Sequence, residues 1–280
     1  MNPEIDRTLK RPALRWHGGK FLLAPWIIEH FPPHRIYTEA YGGGASVLLR
    51  KPRAYAEVYN DLDEEVVGFF RLMQDPVQAG HLAERLRLTP FARAEFERAY
   101  QAQATAVDRA WALVVRSFMG FGSNSCNHQR QTGFRAASNR SGTTPAHDWA
   151  HYPASLAAVV ERLRGVVIER RPAIEILEAH DDPDTLHYID PPYLHSTRQP
   201  GNLQNYRYEM QDADHRILAQ LLHRLRGGVV LSGYPSALYD QELFASWHRV
   251  ARVARADGAL RRTEVLWINE VAWRGLGRLL

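Results

Sequence analysis

Short apolar runs alternate along this chain with longer stretches in which apolar residues recur every three or four positions. Residues 35–39 read as a strand that runs into Gly42-Gly43-Gly44, and a helix is predicted to start over 45–50. Residues 54–59 give a second strand, closing a strand–helix–strand unit. From 64 to about 119 the spacing turns helical, with Leu82, Leu86, Phe91, Phe96 and the run 111–115 supplying apolar faces. Residues 120–150 break the pattern. They are rich in Gly, Ser, Asn, Arg and Thr and poor in aliphatics, which predicts a long loop of the kind that carries function inside a compact domain. Beyond Tyr152 the alternation resumes, with strands over 165–169, 186–189, 229–232 and 263–269 and a helix over 212–226. The order of elements predicts an α/β fold. The sensible division is one domain in two parts, 1–64 and 151–280, around an inserted module of residues 65–150. No internal repeat is present.

Composition narrows the classes of function. A chain of 280 residues with 45% hydrophobic content can build one large core, with or without an insertion. Lys and Arg number 35 against 31 Asp and Glu, a net charge of +4 that permits a nucleic-acid partner without requiring one. The single cysteine, Cys126, excludes an intrachain disulfide and a multi-cysteine zinc site, and suggests a reducing compartment. No apolar run reaches the length of a membrane span. Residues 1–14 are charged and lack an apolar centre, so no signal peptide is expected and the cytoplasm is the default location. His147 and His151 lie four apart with no third ligand in view, so no metal site is expected.

Three motifs carry chemistry. Asp190-Pro191-Pro192-Tyr193 directly follows the segment Leu186-His187-Tyr188-Ile189. Two prolines stiffen the backbone and donate no N–H, so this turn presents acceptors beside one aromatic face. Such a site suits a planar base bearing an exocyclic amine, whose two N–H bonds can go to the Asp190 carboxylate and the Pro191 carbonyl while Tyr193 stacks on the ring. The triple glycine between a strand and the next element is a tight loop able to approach a ligand closely. Asp61 follows at the end of the next strand, about 20 residues on, where dinucleotide-type folds place a ribose-binding acid. No Gly-Lys-Ser/Thr follows the glycines, so a triphosphate is not required. A third cluster is DNA-like in its chemistry: Arg116, Asn124, Arg130, Arg135, Asn139 and Arg140 crowd a loop-rich stretch, and Arg198 follows the proline turn. Arginine reads guanine and Asn reads adenine in the major groove, whereas phosphate contacts carry no sequence information.

The ordered set Arg15-Trp16-His17-Gly18-Gly19-Lys20, Glu39-Ala40-Tyr41-Gly42-Gly43-Gly44-Ala45-Ser46, Tyr59-Asn60-Asp61-Leu62-Asp63 and Asp190-Pro191-Pro192-Tyr193 resembles the Dam-like class of DNA adenine-specific methyltransferases, including phage and prophage members. Downstream text such as Leu231-Ser232-Gly233-Tyr234 and Arg262-Thr263-Glu264-Val265-Leu266 is similar as well. The resemblance covers nearly the whole chain except about residues 75–150. Two departures stand out: Ala40-Tyr41 replaces the usual Pro-Phe, and His187 stands where an apolar residue is usual.

The resemblance implies a Rossmann-like S-adenosylmethionine-dependent fold with an inserted helical DNA-recognition module. It also implies methylation of the N6 amine of adenine in double-stranded DNA, with the base flipped out. It assigns Trp16, Lys20, Tyr41, Gly42, Gly44, Asp61 and Asp190 to the cofactor, and Asp190, Pro191, Pro192 and Tyr193 to the reacting base. A cognate restriction endonuclease is a compatible partner, and a monomer is expected in solution. Methylation of the cytosine N4 amine, an RNA methylase and an inactive DNA-binding relative stay open as alternatives. Asp rather than Ser at the first position of the tetrapeptide favours adenine in family terms.

Overall fold

The computed structural model describes residues 9–122, 131–136, 143–198, 206–255 and 261–277. In chain order the strands are β1 (Ile36–Glu39), β2 (Ala56–Asn60), β3 (Val166–Glu169), β4 (Thr185–Ile189), β5 (Gly228–Gly233), β6 (His248–Arg255) and β7 (Arg261–Ile268). The helices are α1 (Ala24–Ile28), α2 (Glu64–Met73), α3 (Pro76–Leu88), α4 (Arg93–Arg98), α5 (Ala106–Met119), α6 (Pro145–His151), α7 (Leu156–Leu163), α8 (Ala173–Ala179), α9 (Asp212–Leu222) and α10 (Glu270–Gly277).

All strands join one sheet in the order β3-β2-β1-β4-β5-β7-β6. The first five run parallel, and β7 is antiparallel to both β5 and β6. The strand order reverses between β1 and β4. In open α/β sheets a ligand crevice forms outside the carboxyl ends of the strands at such a point. The fold is the Rossmann-like methyltransferase arrangement that the resemblance implies.

Both faces of the sheet are covered. One core gathers Tyr37, Tyr59, Tyr188, Leu266 and Ile268 with Phe69, Phe70, Trp111 and Leu113. The other gathers Ile189, Leu231, Val265 and Trp267 with Leu218, Leu222, Tyr239 and Phe244. Residues 64–119 therefore share a continuous core with the sheet. Strands β4 and β5 are buried along their whole length, as expected for parallel strands covered on two sides. His187 is accommodated within β4 by a 2.7 Å hydrogen bond between its Nδ1 and Thr38 Oγ1, and burial lowers its pKa to about 4. The imidazole is neutral at physiological pH, so this departure from an apolar residue introduces no buried charge.

Most helix starts have a readable cause. Asp63 accepts from Glu65 N to begin α2, with Glu64 and Glu65 on the first turn. A reciprocal box between Thr105 and Asp108 begins α5, and one between Gln211 and Asp214 begins α9. The helix predicted over 45–50 does not form: those residues are turns. Ala45 sits at φ 52°, the Leu48 amide bonds the Glu39 side chain, and Pro52 arrives before a second turn can be completed. Strand β6, its partner hairpin with β7, and helices α8 and α10 are elements that the sequence pattern did not mark.

Candidate active site

The carboxyl ends of β1, β2 and β4 open into one cavity of about 380 Å³. Each strand contributes through the residue or loop that follows it. After β1, the Gly42–Gly44 turn is packed too closely for side chains. A Cβ on Gly42 would lie 2.1 Å from the Tyr59 ring, and one on Gly43, at φ +46°, would lie 2.6 Å from Trp16 Nε1. The glycines are thus required by contact with Tyr59 and Trp16, and the backbone itself forms the cavity wall. After β2, Asp61 accepts from Gly43 N at 2.8 Å with one carboxylate oxygen and from Asp63 N at 2.8 Å with the other. Burial pushes its pKa up to about 6. Spare lone pairs on both oxygens stay available to hydroxyl donors.

After β4, the Asp190 carboxylate is held at both oxygens. Ser232 on β5 donates to Oδ1 at 2.8 Å, and the Lys20 ammonium lies 2.9 Å from Oδ2. Lys20 also donates to Gly18 O at 2.7 Å. Although burial opposes its charge, Asp190 and Glu264 together hold the Lys20 pKa above its ordinary value, so it is a cation across the physiological range. Asp190 therefore enters the cavity as a fixed acceptor.

The structure brings Trp16, Lys20, Tyr41, Gly42, Gly44, Asp61, Asp190 and Pro192 to the wall of this one cavity. Pro191 and Tyr193 lie outside the wall. Pro191 is buried. The Tyr193 ring meets Tyr234 edge-on at 4.7 Å between centroids, with the Lys20 ammonium 4.7 Å from its centre. Its hydroxyl donates to Glu264 Oε2 at 3.0 Å. Glu264 is 7% exposed, and burial raises its pKa. Sequence reasoning gave neither this hydroxyl nor Glu264 a role. The available signal was the alternation in β7, where Glu264 shares a side with the buried Leu266 and Ile268.

Glu39 is a second buried carboxylate on the cavity wall. It accepts from Tyr37 Oη and Leu48 N, both at 2.9 Å, and burial pushes its pKa up to about 8, so it holds its proton at neutral pH. Residues 206–210 close one side. The Tyr206 ring meets His17 at 5.0 Å, and Arg207 lies 3.4 Å from Asp63. Even with Glu39 neutral, acidic groups outnumber cations around the cavity: Asp61, Asp63, Asp190, Glu209 and Asp214 against Lys20 and Arg207. Such a lining favours a cationic ligand and repels a polyphosphate.

Two residues expected at DNA do other work. Arg116 is 2% exposed and buries its guanidinium against Glu65 Oε1 at 2.8 Å and Ala99 O at 2.7 Å. It lies within the apolar run of α5 and ties that helix to α2 and to the end of α4. Arg198 has a side chain only 6% exposed; it bonds Tyr193 O and Glu209, joining the proline turn to the 206–210 segment. Arg135 stands at the base of a short antiparallel pairing between Gly120 and Phe134, its amide donating to Met119 O at 2.7 Å. Asn124, Arg130, Asn139 and Arg140 lie outside the described residues.

The family model described as D12 class N6 adenine-specific DNA methyltransferase matches residues 16–255. The chain belongs to this family. It is accordingly a DNA methyltransferase specific for adenine, which sets aside the cytosine and RNA readings. Among curated proteins no match is found. The matched span takes in all three loops that line the cavity. No helix among the described residues is long and apolar enough to cross a membrane.

Proposed function

We propose that this chain methylates the N6 amine of a flipped adenine in double-stranded DNA, with S-adenosylmethionine as methyl donor. The observation that carries the reading is Asp190: a carboxylate fixed by Ser232 and Lys20, opening into the same cavity as Asp61. The residues fit the donor chemically. Asp61 supplies a carboxylate for ribose hydroxyls, the glycine turn gives close backbone approach, and the excess of carboxyl groups suits a sulfonium. When bound, S-adenosylmethionine supplies an electrophilic methyl on a positively charged sulfur.

The chain's own residues then have a definite task. The adenine amine is a weak nucleophile because its lone pair is delocalised into the ring. Asp190 accepts one of its N–H bonds, which favours a pyramidal nitrogen whose lone pair is aimed at the methyl. This is orientation together with electrostatic stabilisation of the charge that develops on nitrogen. With the donor bound, Asp61 and the glycine turn would hold it while Asp190 held the amine in line with its methyl, and the methylated amine would lose its extra proton to solvent. No covalent bond to the protein is needed. In a duplex the amine lies within the stack, so the base is extruded before it reaches Asp190. Residues 120–150, with the helices before them, are the segment we assign to target recognition.

Transfer of labelled methyl from S-adenosylmethionine to a duplex, followed by nucleoside analysis, tests this reading. N6-methyladenine is expected from the parent. Asp190→Ala should lose turnover by on the order of a hundredfold or more while remaining folded. Near-parental turnover by that variant would overturn the role of Asp190.

A further inference from the structure

The β6–β7 hairpin is longer than the strand on which it rests. In register, Val265 faces Gly233, the last residue of β5, so residues 261–264 and their partners 252–255 extend beyond the carboxyl end of β5. That is the edge of the sheet from which Asp190 emerges. The base of the extension touches the active-site turn: Arg262 lies 5.5 Å from the Tyr234 ring centre and donates to Thr197 O at 3.4 Å. Glu264, at the same level, receives the Tyr193 hydroxyl. The cofactor loops follow β1 and β2, on the far side of β4, so the hairpin flanks the base side of the cleft.

The hairpin is also strongly basic. Residues 248–268 hold Arg249, Arg252, Arg255, Arg261 and Arg262 against two acids, Asp257 and Glu264, and all five arginines precede Glu264. Arg249 is engaged by Asp240, and Arg252 is exposed. Arg255 and Arg261 are the last backbone pair of the β6–β7 ladder. Strand β6 is the outer edge of the sheet, with Val253 64% exposed beside these charges.

We propose that the β6–β7 hairpin is a second DNA-contacting arm that grips the phosphate backbone next to the flipped base, through the positive charge its sequence carries, with the exposed Arg252 as the described contact. It is separate from the segment of residues 120–150 and contributes affinity without sequence information. The inference rests on the family's action on DNA and not on the identity of the methyl donor.

The test is the salt dependence of duplex binding by the full-length protein. Each phosphate contact contributes about 0.9 to the slope of log affinity against log salt. The double variant Arg252→Ala/Arg255→Ala is expected to lower that slope by roughly two. It should weaken specific and non-specific duplexes by the same factor and leave methyl transfer at saturating DNA unchanged. The double variant Arg252→Lys/Arg255→Lys keeps both charges and should keep the parental slope, which separates charge from damage to the edge strand. An unchanged slope would overturn the proposal. So would a slope lowered equally by the Lys pair. Self-association of the Ala pair at parental DNA affinity would show that the arginines only guard an exposed strand edge, and would overturn it as well.

Discussion

Asp61 gives a pH signature for donor binding that can be worked out before measurement. Its carboxylate is buried under the glycine turn, and burial raises its pKa to about 6 from an ordinary value of 3.8. Ribose hydroxyls are donors, and the ionised carboxylate accepts them more strongly than the neutral acid does. Binding therefore draws on the ionised form. With a pKa of about 6, roughly nine-tenths of the free protein has Asp61 ionised at pH 7 and roughly one-tenth at pH 5. Apparent affinity for S-adenosylmethionine should then fall about tenfold between these values, close to 1.4 kcal/mol. The sign is fixed: binding weakens as pH falls, because the proton competes with the ligand.

Glu39 ionises at about pH 8, and the buried imidazoles of His34, His187 and His215 protonate only near pH 4. Isothermal titration from pH 5 to pH 7, on the parent and on Asp61→Asn, isolates the residue. The variant should bind about 2 kcal/mol more weakly at pH 7, through loss of a charge-assisted acceptor, and its affinity should be nearly level across the window. A parental affinity that does not change from pH 5 to pH 7, or a variant that retains the parental slope, would refute the placement of Asp61 at the ribose.

Other outcomes follow from single contacts. Gly43→Ala should abolish donor binding and shift the Trp16 fluorescence, since its Cβ would press on the indole from a residue held at φ +46°; unaltered emission and affinity would show that the turn can yield. Arg116→Ala should lower unfolding free energy by about 3 kcal/mol in denaturant titration, because it removes a buried guanidinium bonded to both Glu65 and Ala99 O, while DNA affinity per folded molecule stays at the parental level. Tyr193→Phe keeps the ring but removes the hydroxyl that serves Glu264. It should lose about 1–3 kcal/mol of stability yet retain measurable single-turnover methylation, whereas Tyr193→Ala should lose most of it; equal damage by both would give the hydroxyl a chemical role.

The parts of the site that the sequence disclosed are those in which backbone geometry requires a particular residue. Gly42–Gly44 and Asp190–Tyr193 each end a strand, and glycine and proline mark such points without reference to the rest of the chain. Asp61 was legible from spacing, because a strand–turn–strand unit fixes where the second strand ends. Arg116 was misread because an arginine close to polar loop residues resembles a DNA contact. Its position in the run of 111–119, where Ser117 is the one other polar residue, is what shows that it faces inward. Strand β6 was hidden by its own content: at an exposed edge it carries arginines and alanines rather than an apolar alternation. Glu264 could not be placed without the sheet order, since only the insertion of β7 beside β5 brings it to Tyr193 and Lys20.

That sheet order also explains why one ammonium is balanced between two carboxylates. Lys20 is bonded to Asp190 and feels Glu264 through space, while Tyr193 lies against both the ammonium and Glu264. An acceptor for an amine must be held firmly, yet it must not be so neutralised by its cation that it no longer attracts N–H donors. A second carboxylate near Lys20 draws part of that positive field away from Asp190. The Tyr193 hydroxyl stabilises this second carboxylate where water does not reach it. Glu264→Gln removes the competing charge and keeps a group able to receive the Tyr193 hydroxyl. Lys20 would then act on Asp190 alone, and turnover should fall with little change in duplex affinity. A variant with parental turnover and a weaker fold would instead make Glu264 a purely structural support for Tyr193.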